Sequence, residues 1–539
     1  SGGSSTSTSS DTYRGTAPFS EPETQAIRDF LASRRISNAL NYHTFSNLLI
    51  FPYGALQTET PDSLIFREFA TDMTQFNRYG IGTDLQTVGY ATRGNSDDYF
   101  YDGDTVNSGK VFAMTPEVGS SSDGFWPAQS RIFPLAQENL FPNLYYAWVA
   151  GDYVTLQNFV LSKPIILPGE QVQLTPTVRN KGLMSGSNYN LQLTSLDQFT
   201  TVNSGSINVD SVPRRGTRTA ATPFSFTVAT NANIQTGVQL LFTVRKENVL
   251  VSQDTIRVSL GIPSYVFLDT TNNPTVLWTM SSIPTTATKW DVSTALFYST
   301  PNSFTDSRTG SYANSMTTSM IMTNNVSLIG ALSPKLSFWT RFDIEANWDY
   351  GQVRISTNNG TSWTALAGRY SNLATGSFQP SGQAVYDGNQ PSWVKEEINL
   401  SQYIGQQIRL RFDLVTDGSV VRDGWYVDDI AIFQHNVIPV ELTSFSHSII
   451  NNAVQLNWTT ASEKNNSGFD IERKKEDDNW LNIGYVEGRG TTASETKYIF
   501  VDETASNGKY SYRLKQNDYD GSFDYSPVIE VTLTNEFDF

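Results

Sequence analysis

The pattern of apolar residues changes near Gly151, and this change limits what the chain can fold into. Ahead of it, residues 26–31 carry apolar side chains at helical spacing, and residues 48–51 form the short apolar run of a buried strand. A second helix is predicted from about Pro134 to Val149. After Gly151, apolar and polar residues alternate with a period of two. The sequence therefore predicts a multidomain protein, an α/β unit followed by three all-β sandwich domains.

Composition supports this division and excludes several classes of function. A chain of 539 residues favours three to five domains, and 38% hydrophobic with 12% aromatic residues can build globular cores. A formal net charge of −16 argues against a nucleic-acid partner. The absence of cysteine excludes disulfides and thiol chemistry. The stability of an extracellular protein of this kind must then come from large cores, to which bound calcium could add. No apolar run reaches the ~18–20 residues of a membrane span.

Domain boundaries follow from turn signals and from the changes of pattern. The hairpin signal Asn358-Asn359-Gly360, for example, separates two predicted strands of one sandwich. The predicted extents are 1–150 for the α/β unit, 151–262, 263–436 and 437–533 for the three sandwiches, and 534–539 for a tail. Nothing in residues 151–262 suggests chemistry, so a spacer role is expected there.

His43 is the only histidine in the first 434 residues, and it stands just ahead of the predicted buried strand at residues 48–51. At that position its side chain can turn into a cleft. A histidine beside a buried strand is also compatible with a purely structural role. The residue alone leaves both interpretations open.

Residues 1–150 resemble the zinc metallocarboxypeptidases. The segment around His43 resembles the one that carries the third zinc ligand of that family, and other segments follow in the family's order. These segments are 11–15 and 20–24 ahead of the first helix, 41–54 around His43, 88–90 and 94–99 at a mobile tyrosine loop and specificity pocket, and 112–119 with 124–127 around a catalytic glutamate. The resemblance implies the C-terminal part of a zinc carboxypeptidase domain.

The resemblance also implies a role for each of four residues. His43 would bind zinc, Glu117 would act as general base and then acid, Tyr90 would close over the substrate, and Asp97 would lie on the floor of the specificity pocket. A carboxylate there would pair with a C-terminal Lys or Arg. Structural roles stay open for two of these positions: Glu117 as a buried paired carboxylate, and Asp97 with Asp98 as caps of a turn.

The zinc site implied by the resemblance is incomplete in this sequence. The family binds zinc with a His-x-x-Glu pair and a later histidine, but no His-x-x-Glu occurs here, and His435 and His447 are far from His43 in sequence. Catalytic zinc normally takes three protein ligands. We therefore expect that residue 1 is not the native start, that the front half of the domain is absent, and that this chain alone holds no zinc and is inactive.

The three β-domains resemble modules of secreted bacterial proteins. Residues 151–262 resemble an immunoglobulin-like module, residues 263–436 a MAM-like jelly roll, and residues 437–533 a fibronectin type III-like module. The last resembles the module ahead of the sorting domain in proteins exported by type IX secretion, and we expect residues 534–539 to lead to such a missing domain. The jelly-roll resemblance implies calcium at four acidic positions, for which a solvated acidic edge is the alternative: Asp269, Asp306, Asp428 and Asp429.

The sequence supports two alternative functions. The first is a secreted or cell-surface zinc metallocarboxypeptidase that removes C-terminal, basic residues from peptides or proteins and meets the type IX secretion machinery during export. The second is a cell-surface adhesion or binding protein with a degenerate peptidase domain. The residues upstream of Ser1 would discriminate between them.

Overall fold

The computed structural model describes residues 3–56, 58–270, 276–286, 289–436, 442–476, 478–492, 495–519, 521 and 523–534. Within these residues, no helix has the length and apolar character needed to cross a membrane. The predicted boundary at 436/437 and all but the first residue of the predicted tail 534–539 lie outside the described residues.

The first 150 residues fold as an α/β unit around a four-stranded mixed sheet. Its helices are α1 (Pro22–Ala32), α2 (Ser63–Met73), α3 (Asp84–Thr87), α4 (Ser96–Asp98), α5 (Ile132–Glu138) and α6 (Leu140–Ala150). Its strands are β1 (Asn38–Leu40), β2 (Leu48–Ile50), β3 (Gly80–Gly82) and β4 (Phe112–Glu117). The sheet order is β1-β4-β2-β3, with β4 parallel to β1 and antiparallel to β2. The mixed sheet agrees with the predicted α/β character.

The helices of this unit differ from the sequence prediction in two respects. The single helix predicted at 134–149 is two helices that meet at Asn139. Pro142 explains the break, because proline cannot donate the backbone hydrogen bond that a continuous helix needs from that position. Helix α1 forms as predicted, but Ile27 and Phe30 on its apolar face are each 51% exposed and only Leu31 is buried.

The next nine strands form two antiparallel sheets packed on one apolar core. They are β5 (Val154–Leu161), β6 (Gln171–Asn180), β7 (Gly186–Ser195), β8 (Thr200–Ser204), β9 (Ser206–Val212), β10 (Thr217–Thr219), β11 (Phe224–Val228), β12 (Val238–Lys246) and β13 (Val249–Val258). One sheet has the order β10-β6-β11-β8 with β5 also on β6, and the other has the order β13-β12-β7-β9. The period of two predicted after Gly151 is seen in β6, where Val172 and Leu174 both lie in the core.

A larger sandwich of two six-stranded sheets follows, with a separate two-stranded sheet formed by its tenth and eleventh strands. Its strands are β14 (Ile262–Asp269), β15 (Trp278–Ile283), β16 (Asp291–Ser293), β17 (Ser303–Thr305), β18 (Thr317–Met322), β19 (Val326–Ser327), β20 (Lys335–Ile344), β21 (Tyr350–Ser356), β22 (Thr364–Ala365), β23 (Asn372–Leu373), β24 (Ala384–Val385), β25 (Gly388–Asn399), β26 (Gln407–Val415) and β27 (Gly424–Asn436). Strand β14 begins one residue before the predicted boundary at 263. Asn359 and Gly360 have φ of 59° and 86°, as the predicted hairpin turn requires.

The last strands form a three-stranded and a five-stranded sheet. They are β28 (Leu442–Ile450), β29 (Ala453–Thr460), β30 (Glu463–Lys475), β31 (Leu481–Thr492), β32 (Thr496–Asp502), β33 (Gly508–Asp518), β34 (Phe523–Tyr525) and β35 (Ile529–Leu533). The sheet orders are β28-β29-β32 and β31-β30-β33-β34, with β35 also on β33. Several β-sandwich sheets therefore follow the α/β unit, and the division into four domains stays a prediction.

Two sandwiches contact the α/β unit through ion pairs. Glu68 on α2 binds both Arg179, at 2.8 Å, and Arg215 of the first sandwich. Arg78 forms an ion pair with Asp387 of the larger sandwich, whose side chain is fully buried. Because removal of one partner leaves a buried charge unpaired, these contacts hold the sandwiches against the α/β unit.

Candidate active site

Strands β1 and β4 bring His43 and Glu117 together. The backbone ladder continues past Leu40, because the N–H of His43 donates to the carbonyl of Pro116 at 3.0 Å and the N–H of Val118 donates to the carbonyl of His43 at 2.9 Å. His43 Nδ1 lies 3.1 Å from Glu117 Oε1 and 3.2 Å from Oε2. The two residues, 74 positions apart in sequence, are therefore direct neighbours.

The pair is open to solvent on one side. The His43 side chain is 63% exposed, whereas the neighbouring Glu117 side chain is only 13% exposed. The contact is an ion pair when the imidazole is protonated and a hydrogen bond when it is neutral. A recessed carboxylate beside an accessible imidazole can accept a proton from a water or substrate that approaches from the open side.

Asp97, in α4, contacts residues that precede His43 and Glu117 on their two segments. Asn41 Nδ2 donates to its Oδ1 at 2.5 Å, and the Thr115 hydroxyl donates to its Oδ2 at 2.8 Å. Asn41 and Thr115 each precede a member of the His43–Glu117 pair by two residues. Side chains at i and i+2 of an extended strand share a face, about 7 Å apart. The Asp97 carboxylate therefore lies on the face that carries the pair.

The environment of Asp97 disfavours its charged form. The residue is 4% exposed, and burial raises the pKa of its carboxyl to about 7, with Asp84 and Asp98 adding negative charge and the two hydrogen bonds opposing the rise. Such a group is half neutral near pH 7 unless a cation comes close.

Tyr90 and Asp98 have different surroundings. Tyr90 lies in the segment after α3, follows Gly89 at φ 80°, and is 62% exposed. The structure therefore places the predicted loop tyrosine on the surface. Asp98 accepts hydrogen bonds from the backbone N–H groups of Gly54 and Ala55, both at 2.9 Å, so its contacts are those of a structural carboxylate.

Two regions of the chain match models of known protein families. Residues 1–141 match the family model described as zinc carboxypeptidase. Residues 272–436 match the model of the Immune inhibitor A-like MAM domain. The chain thus contains a region similar to zinc carboxypeptidases and a region similar to MAM domains.

Individual proteins are similar over limited stretches. Carboxypeptidase B2 of Bos taurus is 34% identical over 148 residues, which are 26% of this chain and 34% of that protein. Mast cell carboxypeptidase A of Rattus norvegicus is 35% identical over 136 residues, which are 24% and 32% of the two chains. Bacillopeptidase F of Bacillus subtilis is 32% identical over 124 residues, which are 23% of this chain and 7% of that protein.

The chain spans about a third of the length of these carboxypeptidases. A solved structure of bovine thrombin-activatable fibrinolysis inhibitor in complex with tick carboxypeptidase inhibitor is 32% identical. The match covers 27% of this chain and 50% of that one, with a TM-score of 0.24.

The residues around the pair do not make a complete zinc site. A catalytic zinc takes three protein ligands, and His43 offers one imidazole nitrogen beside the Glu117 carboxylate. Within the part of the chain that the structure describes, the three-residue group close enough to share an ion is Glu345, Asp349 and Asp417, in the larger sandwich.

Three of the predicted calcium residues approach one another. Asp428 accepts hydrogen bonds from the backbone of the 298–299 loop, and Asp429 Oδ1 accepts one from the Ser299 hydroxyl at 2.8 Å. Burial raises the pKa of Asp429, and the negative charges of Asp428 and Asp269 raise it further. Asp269 accepts a hydrogen bond from the Trp278 indole at 2.7 Å.

The structure does not bring Asp306 into this group. Asp306 is 1% exposed and accepts a hydrogen bond from the backbone N–H of Trp425 at 2.6 Å. Trp425 precedes Asp428 by three residues on an extended strand, a separation of about 10 Å. The predicted set of four is therefore not one site, because β27 separates its members along its length.

Sequence reasoning missed the side chains that hold Asp97. Asn41 and Thr115 each stand two residues ahead of a predicted site residue, so the period of two on extended strands was the signal that pointed to them.

Proposed function

We propose that residues 1–150 are the C-terminal part of the catalytic domain of a secreted zinc metallocarboxypeptidase that removes basic residues from the C-termini of peptides or proteins. The activity would belong to a polypeptide that carries these residues together with two further zinc ligands. The alignment of the His43–Glu117 pair and Asp97 on one face supports this proposal.

Glu117 is the proposed general base. Its carboxylate is recessed, next to the imidazole, and open from one side. It would accept a proton from the attacking water and return it to the amine that leaves when the peptide bond breaks. General catalysis of this kind contributes about 10²–10⁴ to a rate. His43 is the proposed zinc ligand of this chain, and zinc would activate the water when bound.

Asp97 is the proposed specificity residue. It contacts Asn41 and Thr115, which stand two residues ahead of His43 and Glu117, so a Lys or Arg side chain next to the scissile bond is proposed to point toward its carboxylate. A cation there would be a charged hydrogen-bond partner and would draw the pKa of Asp97 back down from about 7. An apolar side chain would leave the buried carboxyl without a positively charged partner, which costs about 1–3 kcal/mol.

Tyr90 is proposed to close over the bound substrate. Its exposed position after Gly89, which has φ of 80°, is compatible with a mobile loop. The β-sandwiches are proposed to tether or shield the enzyme outside the cell after export by the type IX machinery, and the MAM-like match over 272–436 supports an accessory role for that sandwich.

The first test uses a purified polypeptide that carries these residues together with two further zinc ligands. We expect zinc in this protein. Peptides that end in Lys or Arg should have a kcat/KM at least tenfold above those that end in Phe or Leu. Zinc-loaded protein without C-terminal release would contradict the peptidase assignment.

Two variants test the specificity assignment. Asp97→Ile should reverse the preference toward apolar C-termini while zinc content stays the same. Asp29→Asn is the matched control, because the Asp29 side chain is 68% exposed on α1. If Asp97→Ile retains the preference for Lys and Arg, Asp97 does not determine specificity. This chain by itself should show neither zinc nor activity.

A further inference from the structure

Three carboxylates meet at one end of the larger sandwich, far in sequence from the His43–Glu117 pair. Glu345 and Asp349 lie in the loop between β20 and β21, and Asp417 lies in the loop between β26 and β27. Each contributes one carboxylate oxygen, and these three oxygens all lie within 4.8 Å of one another. The cluster joins two loops, and its three carboxylates carry three negative charges when ionised.

Two of the carboxylate oxygens lack partners although they are buried. Asp349 is fully buried, and its Oδ1 accepts the backbone N–H of Asp417 at 2.6 Å. Asp349 Oδ2 and Glu345 Oε2 are also shielded from solvent, and neither has a hydrogen-bond partner. Buried polar atoms are nearly always paired, so two orphaned oxygens in residues of one cluster indicate a ligand.

The surrounding groups do not neutralise the cluster. The Tyr312 hydroxyl lies beside the Asp349 carboxyl and accepts the Glu345 backbone N–H at 3.0 Å, and Arg422 supplies one positive charge. One positive charge stands beside three carboxylates, so the cluster has room in charge for a bound cation.

We propose that Glu345, Asp349 and Asp417 form a calcium site that joins the two loops. Calcium takes oxygen ligands at about 2.3–2.6 Å, so oxygens on opposite sides of one ion lie about 4.8 Å apart, as this cluster allows. This site differs from the residues at which the sequence predicted calcium.

A calcium ion in this site would also stabilise the contact between the larger sandwich and the α/β unit. Asn347 lies between two of the ligands, and its backbone N–H donates to Asp387 Oδ2 at 2.9 Å. Asp387 is the buried partner of Arg78, which belongs to the α/β unit. Calcium would thus order the loop that supports this ion pair, independently of any peptidase activity.

The test uses the full chain after treatment with EDTA. Titration with TbCl3 should give emission excited through nearby aromatic rings such as Tyr312, and CaCl2 should displace the terbium. Glu345→Gln and Asp417→Asn should each lower the affinity at least tenfold. Asp429→Asn, in the group around Asp428, should bind as the unchanged chain does.

Three results would overturn the proposal. They are an EDTA-treated chain that binds neither ion, an Asp417→Asn variant with unchanged affinity, and loss of binding in Asp429→Asn. If a variant fails to fold, hydrogen exchange of the unchanged chain decides the question. Calcium should slow exchange in residues 345–349 and 416–419 more than in the 298–299 loop, and equal rates with and without calcium would contradict the site.

Discussion

Replacement of Asp97 by Asn should remove a large pH dependence from the stability of the α/β unit. The unfolded carboxyl titrates near its ordinary pKa of 3.8, whereas burial raises the pKa of the folded one to about 7. Between about pH 5 and pH 7, the folded chain therefore keeps a proton that the unfolded chain has released. The stabilisation from this proton is complete at low pH and is lost as the pH rises through about 7.

The magnitude follows from the width of this window. Each pH unit between the two pKa values lowers the free energy of unfolding by about 1.36 kcal/mol, so two units amount to about 3 kcal/mol. Asn is neutral throughout and close in shape. The difference in stability between the Asp97→Asn variant and the unchanged chain should therefore shift by about 3 kcal/mol in favour of Asn from about pH 5 to pH 7.

The assay must report on this unit alone, because a multidomain chain does not unfold in one step. The backbone N–H groups of Asn41 and His43 donate to carbonyls of β4, so their hydrogen exchange reports the opening of the sheet at the site. After correction for intrinsic rates, the variant should gain about 100-fold in protection relative to the unchanged chain over this range.

One variant serves as a control for the pH profile, and one result would contradict the raised pKa of Asp97. Asp29→Asn removes an exposed carboxylate from α1 and should leave the pH profile of the unchanged chain intact. If Asp97→Asn and the unchanged chain lose protection in parallel between about pH 5 and pH 7, the pKa of Asp97 is not raised.

Three further predictions concern the proposed reaction and the cores. Glu117→Gln in the complete enzyme should lower kcat by about 10²–10⁴ while substrate binding, measured by calorimetry, persists; equal turnover would exclude Glu117 as the base. Arg78→Ala should destabilise the chain by about 3–5 kcal/mol, because it leaves the buried Asp387 carboxylate unpaired. Limited proteolysis should then separate the α/β unit from the larger sandwich, and an unchanged digestion pattern would refute this. Trp425→Ala should cost about 3–5 kcal/mol in denaturant unfolding, because the ring is fully buried and donates to Thr340 at 2.8 Å; a loss below about 1 kcal/mol would contradict that packing.

The alternation of side chains made much of the fold predictable from sequence. Residues 48–51 were expected as a buried strand, and Leu49, Ile50 and Phe51 are buried. In β20, the apolar side chains of Leu336, Phe342 and Ile344 are buried at a spacing of multiples of two, as the period predicted after Gly151 requires. These predictions succeed because burial of one face of a strand requires a period of two, which short stretches of sequence display directly.

The helix predicted at 134–149 shows where local pattern is insufficient. Its apolar residues do follow a helical spacing, but Pro142 removes a backbone donor and the chain turns at Asn139. The exposed Ile27 and Phe30 on α1 show the same limit, because an apolar stripe indicates a buried face but cannot show what covers it.

The sequence by itself determined the chemistry available near His43: one imidazole, one glutamate, and no His-x-x-Glu pair. Only the tertiary structure decided that Glu117 contacts this imidazole, because parallel pairing of β1 with β4 joins residues 74 positions apart. The same is true of the Glu345, Asp349 and Asp417 cluster, whose loops lie at the ends of strands in different sheets. Residue types follow from the sequence, but contacts between distant segments depend on strand register and on the packing of whole sheets, which no short stretch of sequence encodes.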